Sequence, residues 1–169
     1  HPYLLAVAVF LVLAAINAVL QPTFLTFDVM SSNLSAFLPA TLVAIGQTYV
    51  ILASDIDLSA GAIVSLVNVI VVTIIDTMGG TGTSIALGLA AGLGVGLAAG
   101  LANGLCVSVL RFQPIVTTFA TSIIFSGLAL WVLPEAGRQV PAGFYLAYAG
   151  KVLGVPVVAW ILLAAVLVG

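Results

Sequence analysis

The chain has 169 residues, of which 63% are hydrophobic, and only three Lys or Arg and five Asp or Glu. A soluble domain of this size carries roughly forty charged residues, so this composition, with a mean hydropathy of +1.39, excludes a water-soluble enzyme and assigns the apolar excess to lipid. A net charge of −2 without a basic run excludes nucleic acid as a partner; the single cysteine, Cys106, excludes a disulfide framework, and the single histidine, His1, excludes a His-built metal site or triad.

The first apolar run, Tyr3 to Leu20, is long enough for a helix to cross about 30 Å of hydrocarbon, and Gln21-Pro22 closes it. Its reading as a signal peptide is opposed by the lack of a basic leader and by the membranous character of all that follows. Phe24 to Asn33 is more polar, with Asp28 placed to cap a short helix from Val29, and reads as an amphipathic elbow at the membrane surface. The second span is expected from Leu34 to Ala53, with Pro39 either starting or kinking it.

Asp55-Ile56-Asp57-Leu58-Ser59 then interrupts the hydrophobicity. A third span is expected over Ala60 to Ile75, ending at Asp76 and a glycine-threonine turn. The fourth runs from Ile85 to Leu110 and ends at Arg111; the fifth runs from Pro114 to Leu133. Residues 134–151 form the longest polar connection, and a sixth span begins near Val152. The expected fold is all-α: one polytopic transmembrane domain over 1–169, with about six spans. Arg111 in a very short loop places that loop in the cytoplasm, while Arg138 and Lys151 on the opposite side pull the other way.

Three constellations stand out. Gly88, Gly92, Gly96, Gly100 and Gly104 recur every fourth residue and form a twisting seam where another helix backbone can approach closely, within the subunit or at a dimer or gating interface. Asp55, Asp57 and Ser59 sit at a break between two short spans. There Asp57 or Ser59 can cap the third helix, and a polar break of this kind also marks discontinuous helices near a transport path. Gln47, Asn68, Asn103, Thr117, Thr118 and Thr121 are polar groups inside spans, suited either to interhelical hydrogen bonds or to lining a weakly polar path. Trp131, Tyr145 and Tyr148 suit an interfacial aromatic belt.

The order of these features resembles the permease subunits of ABC importers for simple sugars, of the ribose type. Val50-Ile51-Leu52 with Ile56-Asp57-Leu58-Ser59-Ala60-Gly61 is similar to the family's "VIL…GIDLSVG". Asn103-Gly104-Leu105-Cys106-Val107 with Pro114-Ile115-Val116-Thr117-Thr118-Phe119-Ala120-Thr121 is similar to "NGLLV…PPFIATLGT". Ser126-Gly127-Leu128-Ala129-Leu130 with Gly137-Arg138-Gln139-Val140 is similar to "RGLAL…GGRPI", and Pro22-Thr23-Phe24-Leu25-Thr26 to "NPNFLT". Asp55, Gln113 and Ser126 depart from the family pattern, where glycine, proline and arginine are usual.

The resemblance implies the N-terminal half to two-thirds of a longer subunit of the bacterial inner membrane. It also implies a homodimeric permease, fed with a monosaccharide by a periplasmic binding protein and driven by a separate ATP-binding cassette subunit. The family's ATPase-docking segment lies beyond this stretch. The chain has no Gly-x-x-x-x-Gly-Lys-Ser/Thr loop, so any ATP is expected on the partner and no cofactor on this chain.

A branched-chain amino-acid permease is the nearest alternative, and the Ile-Asp-Leu-Ser and Gly-Arg-Gln-Val stretches favour sugar. An intramembrane protease is opposed by aspartates only two residues apart and by the lack of a Gly-x-Ser-x-Gly elbow. A channel or secondary transporter is opposed by the lack of a Thr-Val-Gly-Tyr-Gly filter and of a clear mid-span ionisable residue.

Overall fold

The computed structural model describes residues 2–23 and 26–168. His1, Gly169 and the Phe24-Leu25 part of both the expected elbow and the "NPNFLT" match lie outside the described residues. The elements are α1 (Pro2–Leu20), α2 (Phe27–Leu52), α3 (Ala60–Thr77), α4 (Gly82–Gly104), a π-helical turn (Leu105–Val109), α5 (Pro114–Val132), α6 (Ala142–Ala149), β1 (Lys151–Val152), β2 (Val155–Pro156) and α7 (Val157–Val168). The fold is all-α apart from the two-residue antiparallel ladder of β1 and β2. Two compact units form, one from 42–147 and one from 1–41 with 148–169.

Among the described residues, four helices are long and apolar enough to cross a membrane: α2, α3, α4 with its π-helical extension, and α5. About six are expected from the sequence; Leu4–Leu20 and Val157–Leu167 are apolar but shorter. Large apolar side chains point outward along these helices: Leu93 is 68% exposed, Leu101 65% and Trp131 81%. Such contiguous apolar faces are lipid-facing surface.

In the larger unit α3, α4 and α5 form the bundle that positions the polar break. Gly79 and Gly80, with φ of 78° and 66°, end α3 in left-handed geometry, and Gly80 N–H donates to Ile75 O at 2.9 Å. Thr81 caps α4 by accepting from Ser84 N–H at 3.2 Å, while Ser84 Oγ donates back to Thr81 O at 2.7 Å. The chain therefore reverses, and α4 runs antiparallel to α3. Hydrogen bonds tie Leu58 to Thr118 at one end of α3 and Asp76 to Arg138 at the other, so α5 runs parallel to α3.

Several boundaries move. The expected elbow and second span are one continuous helix, α2, with Asp28 in its first turn rather than capping a separate helix, and Pro39 in its interior. The fourth span ends in a π-helical turn, which the apolar pattern does not signal: Leu110 N–H donates to Leu105 O and Phe112 N–H to Cys106 O, before Arg111 adopts φ 57°. The connection expected at 134–151 holds α6 and the first residue of β1.

In the smaller unit, Pro39 explains a contact the sequence pattern does not announce. Proline has no N–H, so the carbonyl four residues earlier, Ser35 O, loses its helical donor. The Tyr148 hydroxyl donates to that oxygen at 2.8 Å. Burial pushes the Tyr148 pKa above the usual tyrosine value. Tyr148 thus fills a backbone vacancy rather than serving only in an aromatic belt. Tyr148→Phe is expected to cost about 1 kcal/mol, and almost nothing in a Pro39→Ala background, where the helix supplies its own donor; thermal unfolding of the four combinations checks this. Elsewhere in this unit Lys151 Nζ lies 3.5 Å from Asp28 Oδ1 and 4.3 Å from the Phe27 ring centre. The β1–β2 turn is made by Leu153 and Gly154 at φ 54° and 78°.

Candidate functional site

Four polar residues of the larger unit, Asp57, Ser59, Asn103 and Thr118, meet at the break at 53–59. α2 ends with Ser54 in the left-handed region at φ 63°, and Asp55 N–H reaches back to Val50 O at 3.1 Å. This is a Schellman-type close with serine where glycine is usual. The chain can then turn back into the bundle and start α3 at Ala60.

Asp57 Oδ1 accepts two hydrogen bonds from Ser59, from its N–H at 2.7 Å and from its Oγ at 2.6 Å. Ser59 precedes α3 but does not cap it; its side chain is turned to Asp57 and is fully buried. Because the single Ser59 hydroxyl proton is spent on the carboxylate, the Ser59 oxygen can only accept from its other neighbour. That neighbour is Asn103 on α4, whose Nδ2 donates to Ser59 Oγ at 2.7 Å. Asn103 is 8% exposed, and its Oδ1 is buried with no partner among the described residues. An amide oxygen left so costs about 1–3 kcal/mol.

A second tether comes from α5. Thr118 Oγ1 accepts from Leu58 N–H at 3.1 Å and lies 2.9 Å from Pro114 O and 3.4 Å from Ile56 O. One proton cannot serve both carbonyls fully, and the closer Pro114 has the better claim. Leu58 N–H would otherwise lack a helical acceptor, so Thr118 closes the backbone ledger at the start of α3.

The other sequence candidates lie apart from this cluster. Thr117 is buried but bonds its own helix at Gln113 O, and Thr121 bonds Thr118 O. Gln47 is half-buried on α2 and Asn68 exposed on α3, with no side-chain hydrogen bond among the described residues. Asp55 is half-buried beside the cluster. The glycine seam divides: a Cβ at Gly88 would lie 3.0 Å from Ile75 Cγ1, and one at Gly92 2.5 Å from Val71 Cγ2. One at Gly96 would meet Val67 at an ordinary 3.6 Å, and those at Gly100 and Gly104 would enter open space. These last three line a groove of about 450 Å³ with Leu97, Leu101 and Ser108. Outside the cluster, Arg138 Nη1 and Asp76 Oδ2 pair at 3.0 Å. The sequence signal for that pair is two opposite charges, each bordering a span on the same side.

The chain is 36% identical over 149 residues to the ribose import permease protein RbsC of Bacillus subtilis (strain 168), which covers 86% of this chain and 45% of RbsC. The chain is homologous to a ribose import permease. It spans about half the length of that relative. No family model and no solved structure matches it. With four membrane-capable helices among the described residues, the homology supports a multi-pass membrane protein. The aligned share takes in most of the bundle, so the ribose-type resemblance read from separate motifs extends over nearly the whole chain.

Proposed function

We propose that this chain is the membrane-spanning part of a permease subunit of an ABC importer for a monosaccharide. The observation that carries the reading is the 36% identity to a ribose import permease across 86% of the chain. In this reading α1 and α7 also cross the membrane, which gives six crossings within this stretch. A second copy completes the pathway, a substrate-binding protein delivers the sugar, and a separate ATP-binding cassette subunit supplies the energy.

Among the sequence candidates, Asp57, Ser59, Asn103 and Thr118 are the transport-path residues, because they meet at a broken helix, where half-helix ends and exposed backbone serve solutes in transporters. Asp55 stands at the mouth of the break. Gln47, Asn68, Thr117 and Thr121 support helix contacts farther off. Gly88 and Gly92 are packing positions within the subunit.

The test is uptake of labelled ribose and of labelled leucine by cells that lack their own carriers and express the full-length subunit with its neighbouring gene products. Ribose uptake that stops when cellular ATP is depleted, and persists with a protonophore when ATP is maintained, is the expected result. Leucine uptake without sugar uptake would overturn the sugar assignment.

A further inference from the structure

We propose that Asn103 couples cargo to the helix break: its amide nitrogen holds the break closed through Ser59, and its buried, unpartnered oxygen is the acceptor for a hydroxyl of a polyhydroxylated solute. The inference rests on the sugar-importer reading and assigns one residue a role within it.

Three observations carry it. First, Asn103 Nδ2, Ser59 Oγ and Asp57 Oδ1 form a directed chain with links of 2.7 and 2.6 Å, so the break is held to α4 by one amide. Second, Asn103 Oδ1 is shut away from solvent and receives no donor among the described residues. Third, the 53–59 segment leaves α2 through Ser54 at φ 63°, and among the described residues Thr118 is its one other side-chain tether to the helices. Movement of this segment away from α4 breaks the Nδ2–Ser59 bond. In the proposal the same movement opens the way to Oδ1, the other polar atom of that amide.

A hydroxyl is both donor and acceptor. Neighbouring hydroxyls of one sugar can therefore donate to Oδ1 and accept from Nδ2, restoring the lost bond and making one that the closed state lacks. An apolar amino-acid side chain can do neither. A ligand shifts a conformational equilibrium only by its differential affinity for the two states. Here the difference is the Oδ1 bond, which cargo makes only in the open arrangement.

The experiment uses the full-length subunit in lipid vesicles, with Asp55→Cys in a Cys106→Ser background, labelled by a water-soluble maleimide with and without ribose. Ser59→Ala is expected to raise the rate of labelling without sugar about five-fold, the equivalent of one lost hydrogen bond, and to keep a further rise with ribose. Asn103→Leu is expected to raise the sugar-free rate similarly and to lose the ribose response. Unchanged sugar-free labelling in Ser59→Ala overturns the latch. A ribose response that survives Asn103→Leu overturns the acceptor role. If Asn103→Leu does not fold, Asn103→Gln, which moves the amide by one methylene, takes its place; it must need about ten-fold more ribose for the half-maximal response, and an unchanged requirement overturns the acceptor role. Failure of the importer reading appears separately, as a parent protein that takes up no sugar, while the sugar-free labelling still decides the latch.

Discussion

Gly92→Leu is expected to prevent the α3–α4 pair from forming, so that the full-length subunit in detergent no longer elutes as a single species, whereas Gly100→Leu elutes normally. Lipid tails are as apolar as leucine, so helices in a membrane associate through close packing rather than through hydrophobic burial. A Cβ at Gly92 would sit 2.5 Å from Val71 Cγ2. Valine is stiff at χ1, so the backbones must separate, at about 3 kcal/mol for an overpacked contact. At Gly100 nothing lies within 4 Å of an added Cβ, and exchanging glycine for a better helix former there gains about 0.5–1 kcal/mol. Equal behaviour of the two variants in fluorescence-detected size exclusion would show that the seam is not a packing surface.

The repeat was plain in the sequence; its division was not. A step of four residues turns about 40° past a full helical turn, so a glycine seam drifts around its helix. The buried positions of α4, Ser84, Gly88, Gly92, Ala99 and Asn103, instead step back by one residue between Gly92 and Ala99 and stay under α3. From Gly96 onward the two stripes diverge, and the glycines rotate out to the open groove. A spacing rule alone does not rank the five glycines; the geometry places the sensitive substitutions at Gly88 and Gly92.

The same limit explains what else was legible. Apolar runs and breaks gave α3, α4 and α5 to within a few residues, because hydropathy and the Asp, Gly and Pro punctuation act locally. The union of the expected elbow with the second span in α2 was not legible. Asp28, Ser31 and Asn33 look like a stop when read one at a time, but Ser35 bonds Ser31 O at 2.9 Å within a continuous helix. The π-helical turn after Gly104 and the hydroxyl of Tyr148 on Ser35 O were illegible for another reason. Each depends on a backbone group whose usual partner is displaced, and apolar periodicity carries no record of that. For the polar break, the sequence offered Asp57, Ser59, Asn103 and Thr118 as separate candidates. Their meeting depends on α4 running antiparallel and α5 parallel to α3, which is a property of the fold.

Asp57→Ala is expected to destabilise the subunit by about 3 kcal/mol, and Asp57→Asn by less than about 1 kcal/mol. Asp57 Oδ1 is the acceptor for both the N–H and the hydroxyl of Ser59, a residue with no exposed surface. Alanine leaves both donors without that acceptor, and the Asn103 amide turns its Nδ2, a donor, toward Ser59. Asparagine keeps a carbonyl oxygen at the same place and so preserves the geometry while removing the charge. The two variants therefore separate scaffold from chemistry. Thermal unfolding of the purified subunit should distinguish Asp57→Ala from the parent and leave Asp57→Asn close to it. If Asp57→Asn then folds like the parent but loses ribose uptake, the carboxylate acts on the solute or on the opening of the break. If its uptake is also unchanged, Asp57 is a structural acceptor and the pathway role passes to Asn103 alone. A well-folded Asp57→Ala would instead mean that Ser59 finds other acceptors, and that the chain from Asp57 to Asn103 does not hold the break.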